Sequence, residues 1–555
     1  MDNMDKKDTG LSAPAETRSK GILNSKIYLY LTEFFSGMSV MAVELGASRL
    51  LAPYFSSSQI VWTIIIGTIM IAMALGNYYG GKNADKDPDP DKLYKRVLFS
   101  AVWIAAIPFV GKLVIALVSA LLVVTISTNF LIWAAFLACM IIFVYPLFLL
   151  GTVTPSLVKY TTDSLEDNGK TVGTLGAFNT VGSIIGTFAP TFITIPAVGT
   201  SVTFLIFSGI LLVLGLIYFI SCGRCRVRMA VCTVLFVICC AVSTSLGFAF
   251  WEKSLAYEGE SVYNYLQVKE DDRQVALSTN VLFGIQSVYM KQGGLSGLYY
   301  DTALAAPLMS GGGESSDILI LGMGTGTYAK ECREFFPELG SAEGVEIDEK
   351  ITDLAHEYFE LDSDIKVTTY DGRAYLQGLQ KQIKSGELEK YDVIMVDAYQ
   401  DITIPFQMSS VEFFELVRSS LKPDGVMVVN MNMHSDQPGS INDYLGDTIS
   451  SVFSQVFTIP VRHTTNRELF ASNDQDMLDR FKSRSDSLDD PDLKNLMEYI
   501  FDNLEEYESK GNILTDDKAP VELLGMKVID GLISEELEYY RRVYREKGIR
   551  GILDA

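Results

Sequence analysis

The apolar positions of this chain follow two different rhythms, and the change falls near residue 250. Before it, apolar runs recur at 27–47, 60–79, 97–127, 130–152, 174–196, 201–221 and 229–250, separated by polar stretches. Most hold about 20 residues, enough to cross ~30 Å of hydrocarbon at about 1.5 Å per helical residue. The pattern predicts a membrane domain of about seven helices over 27–250, behind a polar tail at 1–26 with no signal-peptide core. The run 97–127 is long for one span and carries Pro108, Gly111 and Lys112 in its middle. One kinked helix or two half-helices would fit it. Gly173, Gly176, Gly182 and Gly186 fall at the spacing of close helix packing.

After 250 the period shortens. Residues 260–300 alternate within a small β module at 251–308, and "ESVYNYLQVKEDDRQVALSTN" reads as two strands joined by a turn at Asp271-Asp272. From 309 to 475 short apolar runs alternate with amphipathic ones: "DILILG", "AEGVEID", "IKVTTYDGRAYL", "YDVIMVDAY" and "GVMVVNMN" are strands with helices between them. That order predicts an α/β Rossmann-like domain of the S-adenosylmethionine-dependent methyltransferase type, with a parallel sheet covered on both faces. Residues 476–555 read as an acidic helical extension.

Charge sharpens the division. The net charge is -23, yet residues 1–256 hold 18 Lys and Arg against 14 Asp and Glu, and the remainder 27 against 54. An acidic second half argues against a nucleic-acid partner, because phosphates are held by Lys and Arg. Six of the seven Cys lie in or beside apolar runs, and the three His (His356, His434, His463) are scattered, so no metal site is expected. Glu33, Glu44 and Arg49 sit in the first apolar run, where charge faces protein or a cavity. Glu33 and Glu44 are about three helical turns apart and share a face. They form either a cation path or part of a buried Glu–Arg pairing.

Ligands on such sheets bind beyond the carboxyl ends of the strands. There lie Gly322, Gly324, Thr325 and Gly326, then Glu346, then Asp371 with Gly372, then Asp397. A dinucleotide fingerprint needs glycine at 327, where this chain has threonine. Glu346 is placed to hold ribose hydroxyls and Asp371 to accept from an adenine amino group. The set suits an adenosine ligand of the S-adenosylmethionine type. Methyltransferases of this fold place an acid two residues before the first glycine; Ile320 stands there, against ordinary methyl transfer.

These residues resemble the spermidine synthase (polyamine aminopropyltransferase) family over about 259–433, through Gln286, Tyr299-Tyr300-Asp301, "VEID", "YDGRAYL" and "YDVIMVDAY". "ELGASRLLAPYFSSSQIVW", "GNYYGGKNADKDP" and "LTDDKAPVELL" resemble the subgroup with a fused multi-span domain. The resemblance implies aminopropyl transfer from decarboxylated S-adenosylmethionine to a diamine such as putrescine, releasing methylthioadenosine. It makes Asp397 and Tyr299 catalytic, Gln286 a pocket residue, and Tyr300, Asp301, Gln400 and Asp401 the amine-binding positions. It further implies a homodimer and a catalytic domain in the cytoplasm, on a multi-pass protein of the cell membrane. The Lys and Arg of 82–96 and 224–228 mark those loops as cytoplasmic, and seven simple spans would then place the second half outside. The chain departs from the family at Thr325, an Asp in the family; at Gln400, where a second Asp is expected; and at Tyr300 and Asp301 in place of His or Gln and Glu. S-adenosylmethionine itself as ligand, a methyltransferase, or a polyamine transporter or sensor with a non-catalytic nucleoside domain are the alternatives.

Overall fold

The computed structural model describes residues 25–55, 57–125, 129–161, 168–252, 254–281, 284–398, 404–432 and 438–525, with isolated positions beyond. Gln400 and Asp401 lie outside the described residues.

The first half is a helical bundle. Its helices are α1 (Lys26–Phe55), α2 (Gln59–Lys86), α3 (Pro90–Thr125), α4 (Phe130–Gly151), α5 (Val153–Thr161), α6 (Asn168–Ala189), α7 (Ile195–Cys222) and α8 (Arg226–Ser243). By length and composition, six helical stretches could cross a membrane, among the described residues. One of these is a 55-residue run from Asn168 to Cys222 that joins α6, a π turn at Pro190–Thr194 and α7, with non-helical backbone at Gly199. It contains both apolar runs that the sequence separates at 174–196 and 201–221. The described part of the long run, to Thr125, belongs to one helix, α3, which continues through Pro108. Of the four spaced glycines, Gly182 and Gly186 bring α6 against α1, where a Cβ would strike the backbone of Phe34 or Met38. Gly173 and Gly176 face open space. Large apolar side chains point outward along the bundle, including Leu117, Leu121, Phe192, Ile193 and Val227. Glu33 is fully buried, and its Oε1 accepts from Thr154 Oγ1 (2.6 Å) and Asn179 Nδ2 (2.8 Å). Arg49 does not fold back into the bundle; it donates to the carbonyls of Ser261 and Val262.

A four-stranded antiparallel sheet follows: β1 (Leu255–Glu260), β2 (Tyr265–Glu270), β3 (Gln274–Ser278) and β4 (Ser287–Met290), in that order. Short helices α9 (Tyr299–Ala303) and α10 (Ala305–Met309) lead into the larger domain. There β5 (Asp317–Leu321), α11 (Thr327–Phe335), β6 (Ser341–Glu346), α12 (Glu349–Tyr358), β7 (Lys366–Thr369), α13 (Gly372–Ser385), β8 (Tyr391–Val396), α14 (Val411–Ser420) and β9 (Leu421–Met431) alternate. They are followed by α15 (Ile441–Ser450), β10 (Gln455–Pro460), β11 (Arg467–Ser472), α16 (Met477–Asp486), α17 (Pro491–Asn503) and the two-residue β12 (Glu505–Glu506).

The eight-stranded sheet has the order β12-β10-β11-β9-β8-β5-β6-β7. Pairing is parallel from β7 to β9 and antiparallel from β9 to β12. Strands β5 and β8 are central and almost wholly apolar, as strands covered on both faces must be. Leu319, Leu321, Ile394 and Val396 feed one core, and Ile318, Ile320, Val393 and Met395 the other. The acidic extension is not purely helical, since β12 adds to the sheet edge beside β10.

Candidate active site

The strand order turns between β5 and β8, so their carboxyl ends open a crevice. The loop after β5 enters it through Gly322, Gly324 and Gly326, all at positive φ. A Cβ on Gly322 would lie 2.5 Å from the Asp397 carbonyl oxygen, so the β5 and β8 ends approach this closely only with glycine there. The result is a cavity of about 330 Å³, within the range of small-molecule pockets.

Glu346 ends β6 and is buried. Its Oε2 accepts from the Gly324 amide (2.9 Å) and its Oε1 from the Asp348 amide (3.0 Å). These bonds fix the carboxyl and leave further lone pairs toward the cavity. Burial pushes its pKa up to about 7, against the pull of those amides. Asp371, after β7, caps α13 by accepting from the Ala374 amide (2.8 Å) and shares the cavity wall with Gly372. Leu277, Ile347, Ile351 and Met408 supply apolar surface suited to a flat base.

Asp397 follows β8 and reaches the same cavity. Its Oδ1 accepts from Asn430 Nδ2 (2.9 Å) and its Oδ2 from the Tyr299 hydroxyl (2.7 Å). Burial pushes its pKa up to about 7; the two donors act against that rise, and the Glu346 charge adds to it. An acid at that value exchanges protons near neutrality. The Tyr299 and Tyr300 rings pack at 4.1 Å, their hydroxyls are 2.6 Å apart, and Tyr300 donates to the Gln286 carbonyl (2.5 Å). Each hydroxyl has one proton. With Asp397 ionised, Tyr299 donates to it. With Asp397 protonated, the donors can all turn the same way, from Asp397 through Tyr299 and Tyr300 to Gln286. The row thus accommodates both protonation states.

Other expected residues lie elsewhere. Gln286, Tyr300, Gly322 and Gly324 line the cavity, but Gly326 faces Leu361 instead. Thr325 is buried behind the loop; its amide donates to Ser287 Oγ (3.1 Å), and its hydroxyl has no partner among the described residues. Asp301 is a correction to the amine-binding set. Its carboxylate accepts from the Ser296 amide and hydroxyl and from the Gly297 amide, which locks the turn before α9 and keeps it off the cavity wall. Sequence reading missed Asn430, although an Asn ending "VMVVN" at a strand terminus was a visible signal. It also missed Tyr263 and Asn264 of the β1–β2 turn, which reach the cavity from the other sheet. Glu468 is fully buried on β11 opposite Asn430, with neither oxygen paired among the described residues; burial and the Asp397 charge hold its pKa far up.

A crevice at the switch of a Rossmann-like sheet, with a buried carboxyl beside it, defines a small-molecule site on a methyltransferase-type fold. The spermine/spermidine synthase domain model matches residues 299–520. A "Probable polyamine aminopropyl transferase" of Bifidobacterium longum is 53% identical over 357 residues, covering 61% of this chain and 78% of that protein. A "Polyamine aminopropyltransferase" of Vibrio vulnificus is 26% identical over 219 residues, covering 37% and 69%. Among solved structures, a probable spermidine synthase from Corynebacterium glutamicum aligns with TM-score 0.34 and 21% identity, over 42% of this chain and 87% of that one. The chain belongs to the polyamine aminopropyltransferase (spermidine synthase) family.

Proposed function

We propose that the protein is a membrane-embedded aminopropyltransferase that joins the aminopropyl group of decarboxylated S-adenosylmethionine to a diamine of the putrescine class and releases methylthioadenosine. The observation that carries this reading is the Tyr299–Asp397–Asn430 cluster, in one cavity with Glu346 and Asp371. Glu346 takes the ribose hydroxyls and Asp371 the adenine amino group. An alkyl amine, with a pKa of about 10, is protonated at neutral pH and is no nucleophile. Asp397 accepts one proton from the ammonium, and Tyr299 and Asn430 hold the carboxylate toward the amine. The free amine nitrogen then bonds to the carbon beside the sulfonium. The carbon–sulfur bond breaks, its electron pair stays on sulfur, and the positive charge passes to the product ammonium. Tyr300 shapes the acceptor side and Gln286 lines the pocket; the family resemblance alone assigns Gln400 and Asp401 to the amine.

The outward apolar side chains of the bundle support a lipid bilayer as its surroundings. The catalytic domain faces the cytoplasm, and the chain pairs as a homodimer, as in the family it resembles. The test uses full-length protein in detergent with decarboxylated S-adenosylmethionine and a panel of diamines, reading methylthioadenosine by mass spectrometry. Release dependent on one amine, lost in Asp397→Asn, is expected. No release with any amine, although the nucleoside binds, would refute transfer.

A further inference from the structure

The carboxyl end of the first apolar helix touches the β module just where that module borders the nucleoside cavity. Among the described residues, hydrogen bonds at two positions tie α1 to it. The Pro53 carbonyl, freed by the helix end at Phe55, accepts from the Val281 amide (2.9 Å). One turn earlier, the Arg49 guanidinium spans two successive carbonyls, Ser261 (3.5 Å) and Val262. A planar fork with several N–H groups can hold two oxygens at once, which an ammonium does with less constraint.

Those carbonyls belong to the turn 261–264, which is tightly built. Ser261 Oγ receives the Tyr263 (3.1 Å) and Asn264 (2.8 Å) amides, and the Ser261 amide donates to the Asn264 carbonyl (2.8 Å). The turn is bonded to the nucleoside site by Asp348. Asp348 Oδ2 accepts from Ser261 Oγ (2.5 Å) and Asn264 Nδ2 (3.2 Å), and its amide donates to Glu346 Oε1. Tyr263 and Asn264 also form part of the cavity wall, beside Glu346 and Ile347. Arg49 is therefore linked to the ribose-binding carboxyl through one turn and one aspartate. Its charge lies within electrostatic reach of Glu260 and Asp348.

We propose that Arg49 is a positioning residue for nucleoside binding: through the 261–264 turn and Asp348 it sets the ribose end of the cavity, so the helical domain governs nucleoside affinity. This rests on the nucleoside assignment of the cavity, not on turnover. By linkage the effect is reciprocal, so bound nucleoside tightens the junction between bundle and β module.

The experiment is calorimetric titration of full-length protein in detergent with methylthioadenosine. It compares the wild type, Arg49→Ala, Arg49→Lys and a control, Tyr54→Phe. The control loses a junction hydrogen bond to the Phe248 carbonyl, from the same helix end, without touching the turn. Arg49→Ala is expected to weaken binding about tenfold, ~1.4 kcal/mol. Arg49→Lys should fall between it and the wild type, and it carries the test if the alanine variant does not fold. Tyr54→Phe should bind as the wild type does. Amine KM at saturating nucleoside should stay put, and nucleoside-induced protection of residues 49–55 from hydrogen exchange should vanish in Arg49→Ala. Unchanged affinity in both Arg49 variants, with only a lower melting temperature shared by Tyr54→Phe, would make Arg49 a mere strut and overturn the proposal. A wild type that binds methylthioadenosine yet transfers nothing refutes the aminopropyl reading alone. A wild type that binds no nucleoside overturns both.

Discussion

Asp397→Asn should abolish turnover and at the same time stabilise the protein above neutral pH. The substitution keeps the shape and removes the charge. The Asn oxygen can accept from Asn430, and its amide can donate to the Tyr299 hydroxyl, which then donates on to Tyr300 and so to Gln286, as with protonated Asp397. The magnitude follows from the folded-state pKa. Burial raises Asp397 from 3.8 to about 7, which corresponds to about 4 kcal/mol. The sign is that of a raised carboxyl. Below pH ~4 the acid is protonated in both folded and unfolded chains, and folding is unpenalised. Between pH ~4 and ~7 the unfolded chain ionises while the folded one resists, so wild-type stability drains away as pH rises and levels off above pH ~7. The variant lacks this penalty. Thermal unfolding of both proteins in detergent, from pH 4 to 9, should show the variant gaining on the wild type up to pH ~7, with the gap then constant. Loss of the base should lower methylthioadenosine release by about 10²–10⁴-fold. A pH-independent gap, or a wild type that is the more stable at alkaline pH, would refute the account of Asp397 as a strained, near-neutral acid.

Glu346→Gln should weaken methylthioadenosine binding by about 1–3 kcal/mol in calorimetry, since the ribose hydroxyls lose a charged acceptor held by the Gly324 and Asp348 amides. Asn430→Ala removes a donor that holds the Asp397 pKa down, so the acidic limb of the pH–rate profile should move to higher pH. Gly322→Ala should cost more than about 1 kcal/mol in thermal unfolding and depress nucleoside binding, because its backbone lies at φ 82° and a Cβ would press on Asp397 and Ala398.

The alternation of apolar runs and helices between 309 and 475 was enough to read the central sheet. Strands such as "DILIL" and "YDVIMV" are apolar apart from Asp317 and Asp392 near their starts, because both faces are covered. Glu346, Asp371 and Asp397 were legible for the same reason: in a parallel sheet the ligand side is fixed by strand direction, so strand-end acids converge. What sequence order could not reveal was contact between distant segments. Asp301 sits beside Tyr299 in the chain, yet its carboxylate is consumed by the turn at Ser296-Gly297. Asn430 and Tyr263 reach the site only through pairing and packing across the two sheets. Arg49 looked like an intramembrane charge open to pairing with a glutamate of the same helix, and its partners are backbone carbonyls more than 200 residues away. The spaced glycines divided likewise, two at a helix contact and two in the open, because spacing fixes a helix face and not what covers it.

The charge balance of the cavity explains how an acid poised near 7 can serve as a base. Among the described residues lining it are Glu346, Asp371 and Asp397, and no Lys, Arg or His. Burial holds the Glu346 and Asp397 carboxyls above the usual carboxylate range, and the Glu346 charge adds to the rise at Asp397. The transfer proposed above would bring a sulfonium and an ammonium, the counter-charges this wall lacks. An opposite charge within about 4–6 Å favours the ionised carboxyl, by 1–3 pKa units for an acid beside a fixed cation. Binding the two cationic substrates would then return Asp397 to its basic form where the amine proton has to go. The same logic bears on Thr325 and Tyr300, which replace polar or charged positions of the family it resembles. Thr325 is shut behind the loop, where an added carboxylate would be buried without a cation. Tyr300 contributes a neutral hydroxyl that donates to the Gln286 carbonyl, while the Tyr299 hydroxyl is the one that can turn toward either Asp397 or Tyr300.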